Sequence, residues 1–137
     1  MKHYYQDFSV GQSFQKDFFI SEELGRSFAQ ISGDFNPVHL DEEYARETMF
    51  GKRIAHGMLL GSYISGVLGS DFPGEGTIYL KQDMKFTKPV YYGDTITISV
   101  TILEMDDARN RMTLETNCYN QESELVLAGT ALVMLRN

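Results

Sequence analysis

The stretch His56-Gly57-Met58-Leu59-Leu60-Gly61-Ser62-Tyr63-Ile64-Ser65-Gly66-Val67-Leu68-Gly69 decides the fold of this 137-residue chain. Its residues are apolar or small on nearly every side, which is typical of a helix surrounded by other elements. Gly57, Gly61, Ser65 and Leu68 share one stripe of that helix, and three of the four are small. The sequence therefore predicts a central core helix over 56–69. Its small-residue flank serves tight packing alone, or packing beside a ligand channel.

Strands are predicted after Pro73-Gly74, where the apolar period changes to two. Clusters of glycine, aspartate, asparagine and serine mark three turns, at 93–94, 106–110 and 120–123. These turns separate four segments that we expect to form an antiparallel meander, 76–88, 95–105, 111–120 and 124–135. A further strand is expected over Asp7 to Ile20. The fold class is therefore α+β, with one curved antiparallel sheet around one central helix.

Two shorter helices are predicted before the central one. The first runs from Ser21, a favourable N-cap followed by two glutamates, to Gly33, its expected stop. Its apolar residues, spaced by four and three, are Leu24, Phe28 and Ile31. Asp41 is the expected N-cap of a second helix through Tyr44 and Ala45. Residues 33–40 then connect two helix ends.

Composition limits the class of protein. The length suits one domain spanning 1–137. A net charge of −7 argues against nucleic-acid binding, which requires clustered basic residues. Cys118 is the only cysteine, which excludes an intramolecular disulfide and a cysteine-based metal cluster and favours a cytoplasmic location. No window approaches the roughly 18 apolar residues of a membrane span, so we expect a soluble protein without membrane contact.

Charge is unevenly distributed along the chain. Residues 51–88 hold five basic and three acidic groups, so this segment carries +2 and the remainder −9. The five basic residues are Lys52, Arg53, Lys81, Lys85 and Lys88. They indicate either a local anion site or the ordinary scatter of lysines that strand faces carry to discourage edge pairing. Charge alone does not separate the two interpretations.

The loop Ile31-Ser32-Gly33-Asp34-Phe35-Asn36-Pro37-Val38-His39 carries the candidate chemistry. Carboxylate and imidazole groups most often move protons near neutral pH, and here Asp34 and His39 are five residues apart. Asn36-Pro37 favours a turn that can fold them toward each other. We expect the Asn36 amide to tie this turn together through local hydrogen bonds. His56, at the start of the central helix, is interpreted as structural.

Three segments resemble the MaoC-like, (R)-specific enoyl-CoA hydratases of the hotdog fold. They are SGDFNPVH followed by LDEEYA, then RIAHGMLLGSYIS, then PGEGTIYLKQDMKFTKPVYYGDTITISV, and together they span nearly the whole chain. The resemblance implies a hotdog domain in which a short helical overhang carries the active-site loop. It also implies a homodimer, with larger assemblies left open. The expected partner is an acyl-CoA thioester, with no metal and no cofactor other than the coenzyme A of the substrate.

Three residues receive roles in this chemistry, two from the resemblance and the third from its position at a helix start. In these hydratases an aspartate and a histidine hold one water between them, and Asp34 and His39 match those positions. We expect Asp34 to abstract the water proton, and His39 to orient the water and shuttle the proton to the α-carbon. The backbone N–H of Gly57, in the first helical turn, is expected to stabilise negative charge on the thioester oxygen.

Further residues are expected at the substrate. The positions that match Ser65, Leu68 and Val133 face the acyl chain in this family, and Asn36 supports the loop at the substrate. Coenzyme A carries several phosphate charges, so the five basic residues of segment 51–88 are candidates for its binding.

Three functions follow, in order of preference. The first is reversible hydration of trans-2-enoyl-CoA to (R)-3-hydroxyacyl-CoA, with short to medium acyl chains. The second is an acyl-carrier-protein dehydratase or an acyl-CoA thioesterase of the same fold. The third is a non-catalytic acyl-CoA binding subunit.

Overall fold

The predicted central helix is present in the structure, a computed structural model that describes residues 3–136. It is α3, Gly57–Gly66, and one wide π-helical turn, Val67–Asp71, continues it. Leu60, Ile64 and Leu68 are each at most 2% exposed, so this side of the helix is buried. The expected burial on most sides is only partly met, because Met58 is 54% exposed and Ser65 is exposed as well. No helix in the described range has the length and apolar character needed to cross a bilayer.

A five-stranded antiparallel sheet packs around α3. Its strands are β1 (Ser13–Phe19), β2 (Ile78–Phe86), β3 (Thr95–Asp106), β4 (Arg111–Tyr119) and β5 (Leu125–Met134). The spatial order is β1-β3-β4-β5-β2. Along most of β3 and throughout β4, fully buried residues alternate with half-buried ones, which confirms the predicted period of two. The buried set packs directly against the apolar side chains of α3.

The predicted four-strand meander is wrong in one respect, because only β3, β4 and β5 follow one another across the sheet. These three are joined by short turns in which Asn110 and Ser123 adopt positive φ. β2 pairs with β5 at the far edge, while β1 pairs with β3. The connection 87–94 contains Pro89, and its residue Tyr91 forms an isolated β-bridge with Ile54, which lies before α3. This connection carries the chain across the sheet from β2 to β3. A tight hairpin would instead have kept β2 and β3 adjacent.

The strand expected from Asp7 begins only at Ser13. A 3-10 turn, Tyr5–Asp7, replaces its first part, and the Asp7 carboxylate accepts the backbone N–H of Tyr4 at 2.9 Å. Gly11 has φ of 91°, and its N–H donates to the carbonyl of Ile102 at 2.8 Å. This left-handed residue redirects the chain into β1.

Both short helices have the predicted ends. In α1, Glu22–Ser32, the hydroxyl of Ser21 accepts a backbone N–H at 3.3 Å, and Gly33 ends the helix with φ of 79°. In α2, Glu42–Arg46, the Asp41 carboxylate accepts two backbone N–H groups of the first turn. The connection 33–40 therefore runs between two capped helix ends, as the sequence indicates.

The three apolar residues that indicate α1 differ in burial. Leu24 and Phe28 pack against the core, whereas Ile31 is 82% exposed. The fully buried residues of α1 are Gly25 and Ala29. A Cβ at Gly25 would lie 2.0 Å from the hydroxyl oxygen of Tyr92, so this glycine admits a tyrosine from the connection after β2. That contact turns α1 so that Ile31 faces outward.

The stripe of small residues on α3 is a packing surface. A Cβ at Gly57 would lie 2.7 Å from the ring of Phe86, and one at Gly61 would lie 3.2 Å from the sulfur of Met84. Both neighbours belong to β2. The two glycines therefore let α3 approach this edge strand closely, which supports the packing interpretation of the stripe.

Replacing Ile64 tests the importance of the enclosed helix. Ile64→Ala removes a fully buried side chain from the middle of α3 and leaves a cavity. We expect a loss of about 2–5 kcal/mol in the free energy of unfolding. Urea denaturation at fixed protein concentration measures it. Ser65→Ala, on the exposed side of the same helix, is the matched control and should change this free energy by less than about 0.5 kcal/mol. Equal effects of the two changes would contradict the enclosed position of Ile64.

Candidate active site

Asp34 is fixed by hydrogen bonds on both sides of its Cα. Its N–H donates to the hydroxyl of Ser32 at 3.1 Å, and its carbonyl faces the Nε2 of His56 at 3.0 Å. One carboxylate oxygen, Oδ1, accepts the N–H of Asn36 at 3.1 Å. The other, Oδ2, points toward His39. The side chain is 48% exposed, so the carboxylate is oriented but still solvated.

The turn before His39 forms as predicted. The side-chain oxygen of Asn36 accepts the N–H of Val38 at 3.2 Å and caps the short 3-10 turn Pro37–His39. Asn36 therefore ties the loop together, as its position before proline indicates. The structure does not place it among the residues that line the neighbouring cavity.

His39 is oriented by its contact with Ile54. Its Nδ1 lies 2.8 Å from the carbonyl oxygen of Ile54, an acceptor, so Nδ1 carries the proton. In the neutral ring Nε2 is then the acceptor, and this atom faces Asp34. Burial lowers the pKa of His39, and neighbouring His56 lowers it further, while the Ile54 hydrogen bond and Asp34 act in the opposite direction. The neutral ring is thus favoured near neutral pH.

The two acid–base groups meet at a common point. Nε2 of His39 and Oδ2 of Asp34 are 3.8 Å apart. A water oxygen at about 2.8 Å from each acceptor would subtend an angle of about 85° between them, close enough to the water bond angle for both hydrogens to be used. Both residues line one cavity of about 500 Å³. The spacing therefore suits one shared water beside a bound molecule.

The rest of this cavity is mainly apolar. Its apolar lining comes from the segment between α2 and α3, from α3, β2 and β5, and from the connection after β2. It includes Phe50, Ile54, Leu60, Phe86, Val90 and Val126. Asp34, His39, His56 and Lys88 supply its ionisable groups. Such a lining suits an elongated apolar ligand with one polar reacting end.

Gly57 places a free backbone donor at the same cavity. It is the first residue of α3 and lines the cavity beside His56. Within residues 3–136 its N–H has no acceptor, as expected for the first turn of a helix. Unpaired amides and the positive end of the helix dipole favour an oxyanion at this position.

Asp34, His39 and His56 offer ligand atoms within 4.8 Å of one another, so a metal ion must be considered. The two imidazole rings are stacked, with centroids 3.9 Å apart and planes inclined by 26°. Lone pairs of imidazole lie in the ring plane, so nearly parallel rings direct them side by side. They do not converge on one ion at the roughly 2.1 Å that a metal–nitrogen bond needs. The geometry favours proton chemistry at this cluster.

Tyr92 supports the site in a way that the sequence did not indicate. Its hydroxyl donates to the backbone carbonyl of His39 at 2.8 Å. Burial raises the pKa of Tyr92, so the hydroxyl stays a donor. The small residue Gly25 was the signal in the sequence that could have indicated a close contact here. Its partner Tyr92 is 67 positions away in the chain, so only the fold brings the two together.

The five basic candidates are spread over several surfaces. Among them Lys88 alone lines the cavity, and it is paired with Glu124. Arg53 pairs with Glu22 and Glu42 and so joins α1 to α2. The ammonium group of Lys52 lies 4.5 Å from the ring centroid of Tyr91. Two of the five charges are thus compensated within the chain, which reduces the local positive charge that the sequence suggests.

The predicted acyl-chain residues do not line this cavity. Leu68 and Val133 are buried in the main core, and Ser65 is exposed on α3. Lys81 and Lys85 are exposed along β2 and lie outside the cavity lining as well. The structure of one chain therefore brings Asp34, His39 and Gly57 together and leaves these five residues apart from them.

A sheet wrapped around one helix, with a carboxylate and an imidazole at the helix start, defines a hotdog-fold protein with an acid–base centre. The chain belongs to the MaoC-like domain family, whose model matches residues 8–123. The match contains the loop, all of α3 and most of the sheet.

Similar proteins include well-matched enzymes. An (R)-specific enoyl-CoA hydratase of Rhodospirillum rubrum is 43% identical over 133 residues, covering 97% of this chain and 92% of the relative. A 3-hydroxybutyryl-CoA dehydratase of Methylorubrum extorquens is 41% identical, covering 95% and 82%. The solved structure of an R-hydratase from Pseudomonas aeruginosa, in its unliganded form, superposes with a TM-score of 0.93 at 42% identity, covering 98% of this chain and 86% of that one.

Proposed function

We propose that this chain is an (R)-specific enoyl-CoA hydratase, which adds water reversibly to trans-2-enoyl-CoA to give (R)-3-hydroxyacyl-CoA. The observation that carries the proposal is the 3.8 Å spacing of Asp34 Oδ2 and His39 Nε2 at one apolar cavity. The names and coverage of the relatives from R. rubrum and M. extorquens support it. The same site catalyses dehydration in the reverse direction.

The acid–base pair divides the work of hydration. Asp34 takes a proton from the shared water while the water oxygen bonds to the β-carbon. His39 orients the water through Nε2 and relays the abstracted proton to the α-carbon. Because the proton of the neutral ring is held on Nδ1 by Ile54, the proton that reaches carbon originates from the water. One oxygen–hydrogen bond of the water and the π bond between the α- and β-carbons are thus broken, and one carbon–oxygen and one carbon–hydrogen bond form.

The start of α3 stabilises the charge that this addition creates. Attack at the β-carbon sends negative charge to the thioester oxygen, and the free N–H of Gly57 is the donor assigned to it. The absence of a Cβ allows a close approach of the thioester. General base and oxyanion donor each supply about a hundredfold or more, so neither is sufficient alone.

The alternatives differ in their products. A thioesterase releases free thiol, and a binding subunit leaves the substrate unchanged. A hydratase removes the enoyl absorbance without thiol release and forms one enantiomer. Incubation with crotonyl-CoA, followed by absorbance, thiol titration and chiral analysis of the product, separates the three. Thiol release, or unchanged crotonyl-CoA, would overturn the proposal.

Removal of the carboxylate tests the proposed base. Asp34→Asn keeps an acceptor oxygen for the Asn36 N–H but cannot take up a proton. We expect the rate of crotonyl-CoA hydration to fall by at least ~100-fold. The matched control, Asp17→Asn, removes a carboxylate from β1 at the opposite side of the sheet and should keep full activity. Circular dichroism and the unfolding midpoint report whether both variants fold. A loss of less than about threefold for folded Asp34→Asn would remove this residue from the mechanism.

The lowered pKa of His39 sets the acid limb of activity. As the pH falls through that pKa, Nε2 gains a proton and can no longer accept a hydrogen of the water. Because the pKa lies below the ordinary value of 6.5, we expect half-maximal kcat/KM on the acid side below pH 6.5. Measurement of kcat/KM from about pH 5 to about pH 8 at constant ionic strength checks this. An acid midpoint at or above pH 6.5, in protein shown to be folded, would contradict the assignment.

The proposed assembly is a homodimer formed through β2. This strand is at the sheet edge, with one side paired to β5. It carries a row of exposed apolar side chains, and Ile78, Leu80 and Phe86 are 49%, 42% and 50% exposed. Exposed apolar edge strands favour pairing with another chain. Because Phe86 also lines the cavity, a second copy at β2 would adjoin the substrate.

A charge in this row tests the assembly. Leu80→Glu places a carboxylate in the proposed interface, and we expect light scattering to report a mass near 15.6 kDa in place of twice that value. Phe19→Glu, an exposed aromatic position on β1 at the other edge, is the control and should leave the dimer intact. A wild-type chain that is monomeric at micromolar concentration would exclude the proposed dimer.

Several expectations remain predictions. They are the absence of a metal and of a separate cofactor, the cytoplasmic location, the preference for short to medium acyl chains, and the roles of Asn36, Ser65, Leu68, Val133 and the basic residues at the substrate. The proposed chemistry needs only acid–base groups and a backbone donor, which agrees with the first of these.

A further inference from the structure

We propose that His56 is a positioning residue that sets the spacing between Asp34 and His39. The inference rests on the proposed hydratase function and adds one residue to the proposed active site. His56 does not touch the water or the substrate in this proposal. It acts through its two neighbours, one held by a hydrogen bond and the other by ring stacking.

The first contact fixes the backbone of Asp34. Nε2 of His56 lies 3.0 Å from the carbonyl oxygen of Asp34, and a carbonyl only accepts, so Nε2 carries the proton. Asp34 sits in a loop without regular secondary structure, between the end of α1 and the turn Pro37–His39. This hydrogen bond joins that loop to the N-terminal end of α3 and so holds the Asp34 carboxylate at a fixed distance from Gly57.

The second contact fixes the ring of His39. The His56 ring stacks on it at 3.9 Å, and it also makes an edge contact with the ring of Phe28, with centroids 5.1 Å apart and planes inclined by 61°. His39 is thus constrained by the Ile54 hydrogen bond in its plane and by His56 on its face. The hydrogen bond alone would still let the His39 ring tilt about the line from Nδ1 to the Ile54 oxygen. The stacking contact opposes this tilt, so both constraints are needed.

A purely structural histidine would be expected to use both ring nitrogens. His56 is 2% exposed, yet its Nδ1 has no hydrogen-bond partner within residues 3–136. Leaving a buried polar atom unpaired costs about 1–3 kcal/mol. Nor does the side chain cap α3, although His56 is its N-cap residue. The ring is therefore retained for its Nε2–H and its flat face, which are the two features that contact the acid–base pair.

Two substitutions separate the hydrogen bond to Asp34 from general stability, because both remove the flat ring and only one keeps a donor in the place of Nε2. In His56→Gln, the side-chain amide nitrogen takes the place of Nε2 and can still donate to the Asp34 carbonyl. In His56→Asn, the amide nitrogen takes the place of Nδ1 and cannot reach it. We expect kcat on crotonyl-CoA to fall by about 10- to 100-fold in His56→Asn with KM changed less than about threefold, since misplaced catalytic groups slow the reaction more than they weaken binding.

Rescue by glutamine is the specific outcome. We expect His56→Gln to recover at least about tenfold of the lost kcat, while both variants show similar unfolding midpoints. Equal kcat in the two variants, a change confined to KM, or a kcat that follows the unfolding midpoint would overturn the positioning role. Wild-type protein without hydratase activity would instead contradict the proposed function. Failure of the positioning role and failure of the proposed function are therefore distinguishable.

A measurement on the unmodified protein keeps the proposal testable if neither variant folds. Two-dimensional ¹H–¹⁵N spectra of histidine rings report which nitrogen carries the proton. We expect His56 in the Nε2–H form and His39 in the Nδ1–H form at neutral pH. A His56 ring protonated at Nδ1 would break the hydrogen bond to Asp34 and would refute the inference.

Discussion

Enclosure of α3 by the sheet is the constraint on which the rest of the structure depends. Its side with Leu59, Leu60 and Ile64 is buried, while Met58 and Ser65 are exposed, so the sheet fixes which face of the helix points inward and where its first turn lies. The loop 33–40 and the connection after β2 converge on that first turn. The position of α3 therefore brings together the cavity, a free backbone donor and two imidazoles.

Solvation then differentiates the two proton carriers. Asp34 keeps nearly half of its side chain in solvent, whereas only 11% of the His39 side chain is exposed. Burial lowers the pKa of His39 and favours its neutral form. Both groups can then accept a hydrogen of one water. The two groups differ in solvent exposure although their nearest atoms are only 3.8 Å apart. A short loop with several internal hydrogen bonds holds them in these two environments.

Much of this architecture is readable from local sequence. Caps at Ser21 and Asp41, the stop at Gly33 and the alternation in β3 are decided by neighbouring residues, so their prediction is confirmed. The position of β2 is not local, because pairing with β5 depends on a connection whose path is set by tertiary contacts. The exposure of Ile31 is not local either. Helical spacing places Leu24, Phe28 and Ile31 on one stripe but does not reveal that the first two pack against the core and the third does not.

The site shows the same division. Residue types and spacing single out Asp34 and His39, and proline explains why they can meet. Spacing does not show that Tyr92 and Ile54 hold His39, since both act on it from distant parts of the chain. Nor does it show the stacking of His56. Acyl-chain contacts are harder still, because Ser65, Leu68 and Val133 lie outside the cavity of the single chain.

The close approach of Gly25 and Tyr92 has an evolutionary consequence. Any side chain at position 25 would occupy the space of the tyrosine hydroxyl, and that hydroxyl supports the backbone of His39. A side chain at position 25 therefore has to displace the ring of Tyr92, unless a smaller residue replaces the tyrosine. The two sites form an epistatic pair, and lineages of this fold should gain or lose the two residues jointly.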